Sequence, residues 1–576
     1  MLLKHWIIAS PLPPDIIQQY GSINPVLVQI LHNRGLTTPQ DAQRFLNGAY
    51  TPPSMLAGKQ RMKGISEAVT RIRQAVQKHE PIVVYGDFDA DGVTSTVLLV
   101  ETLRSLNADV EPYIPHRVDE GYGVNSEALA KLAEAGKKLV ITVDCGIRSV
   151  QEIEDGKATG LDMIVTDHHS IGPEIPNALA VINPKQIDCH YPEDMLAGVG
   201  VAYKLAEALL LVAGASTKGK QNGNPGLQVE DLLDLVAIGT VADLAPLNRL
   251  ENRLLVQRGL KVINAGRRPG VRALLEVAGV ELGTVNATTI GFALGPRINA
   301  AGRLDSALIA YDLLTATSKS EAEVLAQQLH ELNIRRQELT REAQDTVREQ
   351  IGETDGEVPL IFASDPSFQP GIVGLVAGRL AEEYFRPAVV MEEGETESRA
   401  SCRSIPQFDI THALDQCADL LVRHGGHAQA AGFSVLNENI IQLREKLVQL
   451  AQETLEGQDL RPSLDVDVEV DIHNLSEDLL SELVRLEPTG HSNPTPVLMS
   501  RNLRVLECRT VGKEDRHLKL KLARAGQPPL DAIGFGLGEW AAQMPERIDA
   551  AYYLEINEWN GHRNLQLNLQ DIRPSE

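Results

Sequence analysis

Four short clusters of acidic and imidazole side chains lie within the first 243 residues. They are Asp87-Phe88-Asp89-Ala90-Asp91-Gly92, Asp144-Cys145-Gly146, Asp167-His168-His169, and Asp243 closing Gly239-Thr240-Val241-Ala242-Asp243. Carboxylates gathered closely repel one another, and a fold tolerates this when something strongly positive sits among them, for which a pair of divalent cations is the natural choice. Histidine beside aspartate offers nitrogen and oxygen ligands on one loop, a mixture that suits Mn2+ better than Ca2+ and leaves Mg2+ open. Two such ions about 3.5 to 4 Å apart can share a water, lower its pKa and stabilise both the attacking and the leaving oxygen of an in-line displacement. No side-chain nucleophile is then required. The chain accordingly shows neither a G-x-S-x-G elbow nor a Walker A sequence.

Taken singly, each cluster has a plainer reading. The first begins like a calcium loop, but Leu98 stands where the closing glutamate of an EF-hand belongs. Asp144 alone would suit a helix N-cap, and a buried, hydrogen-bonded histidine is the commoner fate of His168 or His169. Their shared position where strands are expected to run out, Asp243 included, tips the balance toward metal hydrolysis. In extended chain Asp89 and Asp91 project to the same side, with Asp87 sharing their parity but deeper in the strand. His168 is the expected direct ligand, His169 a contact to the second metal or the phosphate, and Asp243 a further carboxylate that could bridge the ions.

The elements that must position these groups follow from periodicity. Residues 81 to about 183 alternate strand and helix, with strands at 82–85, 109–114, 139–143 and 163–165 and helices near 93–106, 126–135 and before 163. Short apolar strands joined by helices imply an open parallel sheet covered on both faces, whose ligands bind beyond the carboxyl ends of the strands. Asp243 follows the apolar stretch 232–241, after a Gly/Asn/Lys-rich loop at 214–226 expected to be disordered or a surface insertion. Residues 319–351 lack Gly and Pro and place Leu325, Leu329, Leu332 and Leu339 at helical spacing, which predicts one long helix between two domains. A second α/β unit runs from 359 to 434, and from about 461 alternating patterns predict a small antiparallel barrel. The expected division is an N-terminal segment 1–60, a catalytic domain 61–316, a connecting helix 317–352, a smaller α/β domain 353–458 and a barrel domain 459–576.

Composition narrows the class. The chain is 43% apolar and 23% charged, with five scattered cysteines and no C-x-x-C pair, so neither a disulfide framework nor a zinc knuckle is indicated and a reducing cytoplasm is the expected setting. No stretch approaches the roughly 20 apolar residues of a membrane span. A net charge of -24 repels nucleic acid at long range, so any contact with it must be confined to a groove. Candidates for such a groove are His116, Arg117, Arg297, Asn299, Arg303, Arg379, Arg403 and His427, each in a Gly- or Ser-containing stretch where backbone can approach phosphate. Arg forks hold phosphate rather than read bases. Gly425-Gly426-His427 could be a strand turn, and is read here as a compact phosphate nest. In the barrel, Lys513, Arg516, His517, Lys519 and Lys521 form a basic patch, with Trp540 and Trp559 as candidate stacking rings.

At this point the motifs carry a resemblance. Tyr85-Gly86-Asp87-Phe88-Asp89-Ala90-Asp91-Gly92, Asp144-Cys145-Gly146, Thr166-Asp167-His168-His169 and Gly239-Thr240-Val241-Ala242-Asp243 are similar, in order, to the four motifs of the DHH phosphoesterases. The stretches 295–303, 371–379 and 425–433 resemble their linker and DHHA1 domain, and with the terminal barrel the set closely resembles the RecJ family of bacterial single-strand-specific 5′-to-3′ DNA exonucleases, over residues from about 60 to the end. The resemblance implies a parallel-sheet DHH domain, a smaller α/β DHHA1 domain, a long joining helix and an OB-like barrel. It implies Asp89, Asp91, Asp144, His168 and Asp243 as ligands of two Mn2+ or Mg2+ ions, Asp87 as a supporting partner among the catalytic groups, and His116, Arg117, Arg303, Arg403 and His427 along the DNA path, with Asn299 and Arg379 kept as substrate-binding candidates from their own stretches. It further implies a cleft too narrow for duplex, 5′ polarity, mononucleotide release, a helicase and a single-strand-binding protein as partners, and action as a monomer. Two rival readings are a DHH phosphodiesterase for short oligonucleotides or cyclic dinucleotides, and a non-catalytic replication scaffold.

Overall fold

In the computed structural model all residues are described except 1–3, 57, 118, 217–225, 353–357, 525–527, 560–561 and 576, and the side chains of 215–216, 559 and 562. The loop expected at 214–226 falls largely outside the described residues. The chain divides into two units, Thr51–Leu460 and a second made of Met1–Tyr50 together with Arg461–Glu576.

The larger unit is built on a five-stranded parallel sheet: β1 (Ile82–Gly86), β2 (Val110–Tyr113), β3 (Leu139–Val143), β4 (Asp162–Thr166) and β5 (Ala180–Ile182), in the order β2-β1-β3-β4-β5. Its apolar runs are explained by burial on both faces. Ile82 and Val84 of β1 join one core cluster with Leu139, Ile141 and Val143 of β3, while Val83, Tyr85 and Val140 point into the cluster on the opposite face. The short β5 was not anticipated from sequence. It pairs Ile164 with Ala180 and Thr166 with Ile182, extending the sheet past β4.

Helix α1 (Ala90–Ser105) leaves β1 three residues earlier than the pattern suggests, because Asp89 caps it: Oδ1 accepts the amides of Asp91 (2.9 Å) and Gly92 (3.0 Å). Helices α2 (Gly198–Ser216) and α3 (Leu233–Ala242) pack on α1 over the sheet, followed by α4 (Gly295–Leu304) and the 33-residue α5 (Lys319–Ile351), which spans the range predicted for it. α5 buries Ala326 and Leu329 with the core of the parallel-sheet domain and Ala343 and Val347 with the next domain. That domain is a mixed sheet of β6 (Ile361–Asp365), β7 (Ala388–Glu392), β8 (Glu397–Arg403), β9 (Leu421–His427) and β10 (Ala430–Leu436), ordered β9-β10-β8-β7-β6, with helix α6 (Val373–Tyr384) on one face. Among the described residues no helix is long and apolar enough to cross a membrane.

In the second unit β11 (Leu498–Val511), β12 (His517–Ala523), β13 (Leu530–Gly534), β14 (Arg547–Trp559) and β15 (His562–Pro574) close a ring. β11 pairs with both β12 and β14, and β13 runs parallel to β15, so the barrel is not purely antiparallel. Closure removes the exposed edges that an open sheet would present. The N-terminal segment is not a separate piece: His5–Ile8 pairs in parallel with Ser463–Val466, and the Trp6 indole donates to Asp571 at 2.8 Å.

Candidate metal centre

All four clusters reach one rim of the parallel sheet, with two corrections to their local geometry. Asp89 and Asp91 do not share one extended run: Asp89, extended, is the N-cap of α1, and Asp91 lies in its first turn. Asp243 does not end a strand but caps the C-terminus of α3. Asp144 follows β3 directly, and its left-handed backbone (φ 60°) turns the chain sharply before Gly146 (φ 107°). Asp167, His168 and His169 follow β4.

Two glycines make the gathering possible. A Cβ on Gly198 would stand 2.5 Å from Asp144 Oδ1, and one on Gly239 would stand 2.8 Å from Asp91 Oδ1 and 2.4 Å from Thr94 Oγ1. The glycine of the Gly-Thr-Val-Ala-Asp motif is therefore a clearance that lets α3 lie against the first acidic cluster. Gly198 also opens α2, whose first amides hold Asp91: Gly198 and Val199 donate to its two oxygens at 2.6 and 2.8 Å.

His168 Nε2 lies 3.1 Å from Asp144 Oδ1, 3.7 Å from Asp243 Oδ2 and 3.9 Å from Asp91 Oδ2. Yet His168 Nε2, Asp144 Oδ1 and Asp87 Oδ1 are buried without a hydrogen bond. Buried polar atoms rarely go unpaired, and three of them converging argue for a partner that is not protein. Ligand atoms of Asp91, His168 and Asp243, of Asp87, Asp89 and Asp144, and of Asp144, His168 and His169 each lie within 4.8 Å of one another. This donor set of carboxylates with imidazole fits divalent Mn2+ or Mg2+. Without a cation the acids resist ionisation. Burial, then the charge of Asp89, pushes Asp91 up to about 7, and burial with the charges of Asp91 and Asp89 pushes Asp243 up to about 9. Asp87 and Asp144 are raised well above the usual carboxylate range, again chiefly by burial. Burial, then the charge of His169, lowers His168 to about 3, which keeps its ring neutral and its lone pair available.

Asp167, read from the sequence only as an oxygen donor beside the two histidines, organises the loop. It accepts the amides of His168 (2.7 Å), His169 (3.0 Å) and Ile147 (2.9 Å), and the His169 ring at 2.8 Å. Burial opposes its charge, but these donors outweigh it and hold Asp167 below the usual range, while the same bond raises His169 against the effect of burial. Lys185, just after the overlooked β5, donates to the His168 carbonyl, and the Tyr122 hydroxyl lies 3.3 Å from His169 Nε2. A cavity of about 420 Å³ beside the rim is lined by Tyr122, His168, His169, Lys185 and, from the second sheet, His427.

The cationic candidates separate on inspection. His427 reaches this cavity, but Gly425-Gly426-His427 is the end of strand β9 rather than a glycine-rich nest. Arg117 stacks on Phe88 with its guanidinium 4.0 Å from the ring centroid, close enough to Asp87 and Asp89 to feel their charge. His116 pairs with Asp119 at 2.8 Å. Arg303 donates to the Gly371 carbonyl, and burial followed by the charges of Arg117 and Arg336 lowers it to about 10. Arg403 bonds Ser401 and the Cys402 carbonyl, Arg379 bonds Gln344, and Arg297 lies against His330. Asn299 donates no ligand group through its oxygen, which accepts the Ala90 amide at 2.7 Å and so tethers the first acidic loop. Arg336 on α5, which the sequence reading passed over, completes a group of arginines that repel one another. In the barrel Trp540 is buried, not a stacking surface, and the Trp559 side chain lies outside the described residues. There Lys521 pairs with Glu507, Arg516 with Glu514, and Lys519 with Gln566, while the His517 ring packs edge-on against the exposed Phe535.

Comparison with known proteins agrees with this geometry. Models of the DHH family N-terminal domain, the DHHA1 domain and the RecJ OB domain match residues 81–240, 357–456 and 466–571. The single-stranded-DNA-specific exonuclease RecJ of Bacillus subtilis is 38% identical over 96% of this chain and 68% of its own length, and the RecJ of Escherichia coli is 35% identical over 96% of both. The crystal structure of Thermus thermophilus RecJ in complex with Mn2+ superposes with a TM-score of 0.83 at 31% identity, covering 99% of this chain and 80% of that one. A rim of crowded carboxylates, a neutral imidazole among them and relatives matched along nearly the whole sequence lead to one assignment: the chain belongs to the RecJ family.

Proposed function

We propose that this protein is a metal-dependent exonuclease that hydrolyses phosphodiester bonds of single-stranded DNA from the 5′ end, releasing mononucleotides in DNA repair and recombination. The observation that carries the proposal is the convergence of His168 Nε2 and Asp144 Oδ1 on one buried point without a hydrogen bond. Asp89, Asp91, Asp144, His168 and Asp243 would hold two Mn2+ or Mg2+ ions, with Asp87 behind them. The cations would neutralise the carboxylates, lower the pKa of a water and stabilise the charge that builds on the phosphate oxygens.

The chain's own residues do the rest. The α2 amides fix both Asp91 oxygens, so that ligand is set before any cation arrives. Asp167 fixes the loop, keeps His168 turned toward the acids and biases His169 toward its protonated form, as a donor to phosphate or the leaving oxygen. Arg117 beside Phe88, together with Arg303 and Arg403, supplies positive charge, and His427 reaches the cavity from the second sheet, where phosphate rather than base is gripped. Arg379 supports that group through Gln344, and His116 and Asn299 position the loops on which it depends. We assign residues 61–316 to the DHH domain, 317–352 to the connecting helix, 353–458 to DHHA1 and 459–576 to the OB domain, with 1–60 as a leading segment whose first 50 residues fold with the last. Action as a monomer in the cytoplasm, alongside a helicase and a single-strand-binding protein, completes the proposal.

The test is digestion of a long single strand, the matching duplex and a dinucleotide with and without Mn2+. Cation-dependent loss of the single strand alone is the expected result. Cleavage of the dinucleotide alone would identify a small-substrate phosphodiesterase, and no hydrolysis of any substrate would identify a scaffold.

A further inference from the structure

The second sheet carries a cationic feature that the metal centre does not use. Side chains alternate along a strand, and Ala400, Cys402, Ala431 and Phe433 face the core. The register sets the other face out in three rows across β8, β10 and β9: Arg403-Ala430-His427, then Ser401-Gly432-Gly425, then Arg399-Ser434-Arg423. The middle column is small throughout, and both ends of it are flanked by basic side chains. The first row adjoins the metal centre, since His427 lines the cavity that holds His168 and His169.

The third row opens into a separate groove of about 360 Å³. Arg399 and Arg423 are both exposed. Arg423 Nε donates to Ser434 Oγ at 3.2 Å, which steadies its fork, while Arg399 makes no hydrogen bond or ion pair among the described residues. Glu392 stands beside Arg399 on β7 without an ion pair between them, its carboxyl raised by burial and lowered by the charge of Arg399. A floor of Gly425, Gly432 and Ser434 admits a backbone closely, and two arginine forks facing across it suit phosphate oxygens. From Arg403 to Arg399 is about 13 Å along the strand, several times the ~3.4 Å that a stacked nucleotide occupies.

We propose that Arg399 and Arg423 form a phosphate seat for the backbone of a bound single strand, at a nucleotide remote from the scissile bond. This rests on the exonuclease reading and extends it to substrate length: the seat engages long strands and leaves very short ones untouched.

The experiment compares Arg399→Ala, Arg423→Ala and the double charge reversal Arg399→Glu/Arg423→Glu with wild type, on a long thymidine homopolymer and on a thymidine trinucleotide. For each arginine lost, KM on the long strand should rise about tenfold, and its logarithmic salt dependence should flatten by about 0.7. Trinucleotide turnover should not change, which also shows the variants fold. Arg399→Lys/Arg423→Lys should recover most of the salt dependence. An unchanged KM on the long strand, or equal losses on both substrates, would overturn the seat. Wild type that leaves the long strand intact would overturn the exonuclease reading instead.

Discussion

Helices α2 and α3 each hold a buried charge at mid-length or at the start and support the acidic rim at one end, and the two kinds of region are built in opposite ways. In α2, Lys204 pairs with Glu251 at 2.6 Å, and Glu251 also accepts the Tyr191 hydroxyl. In α3, Asp234 and neighbouring Glu101 are both bonded to Arg268 at 2.7 Å. At the rim, by contrast, Asp91, Asp144 and Asp243 surround a neutral imidazole, with no arginine or lysine side chain within salt-bridge distance among the described residues. The same layer thus shows that this fold can neutralise buried charge when only structure is at stake. Charge left uncompensated at the rim is therefore reserved for an external cation.

The comparison breaks most sharply through the rim. Asp144→Asn removes a ligand without changing shape, so cleavage of single-stranded DNA should fall by more than the ~100-fold typical of losing an outer partner. The metal-free protein should melt no lower than wild type, because a repelling carboxylate has gone. A lower melting temperature together with retained cleavage would place Asp144 among structural pairs instead. The opposite is expected of Arg268→Ala, which strands Glu101 and Asp234: stability should fall by about 3 to 5 kcal/mol, read by denaturant unfolding, with metal affinity of the folded protein unchanged. Between these lies Asp167→Asn, which weakens the grip on the His169 ring. A roughly 10- to 100-fold loss of cleavage is expected, with the alkaline limb of the pH profile moved to lower pH as His169 loses the carboxylate that raises it. An unmoved limb would assign Asp167 to the loop alone.

How much of this was legible in sequence depends on what each element is buried against. Strands such as Leu139–Val143 were readable because two-sided burial demands unbroken apolar runs. The same rule misled at α3: Leu233–Ala242 is apolar all round because it too is buried on every side, and without periodicity a buried helix reads like a strand. The acids at 89 and 91 were found, but their geometry was not, because the cap formed by Asp89 decides where α1 starts. The three-residue β5 was too short to announce itself, and with it went Lys185. The pairing of His5–Ile8 with Ser463–Val466 joins opposite ends of the chain, and no local pattern encodes it. His427 was named from its glycine-containing stretch, but its place beside the metal centre was not legible, since nothing in its strand shows that β9 ends at the cavity shared with His168 and His169.

The smallest expected effect sharpens the comparison best, because it measures the missing charge directly. Asp243 has a folded pKa of about 9 against an unfolded value near 3.8, so between these limits the folded state keeps a proton that the unfolded state has lost. Stability must then fall as pH rises through that window. His168 acts with the opposite sign, because its folded pKa of about 3 lies below 6.5, but its contribution is complete once pH exceeds 6.5. From pH 7 to 9 the raised acids and the raised His169 act with the same sign, and metal-free protein should lose roughly 1 kcal/mol of stability per pH unit for each such group still protonated. Saturating Mn2+ should flatten this dependence, since the ionised carboxylates then face a cation rather than one another. Thermal melts in chelator and in Mn2+ at pH 7, 8 and 9 decide the matter, and a flat profile in chelator would mean that the acidic rim is already neutralised within the protein, as Asp234 and Glu251 are.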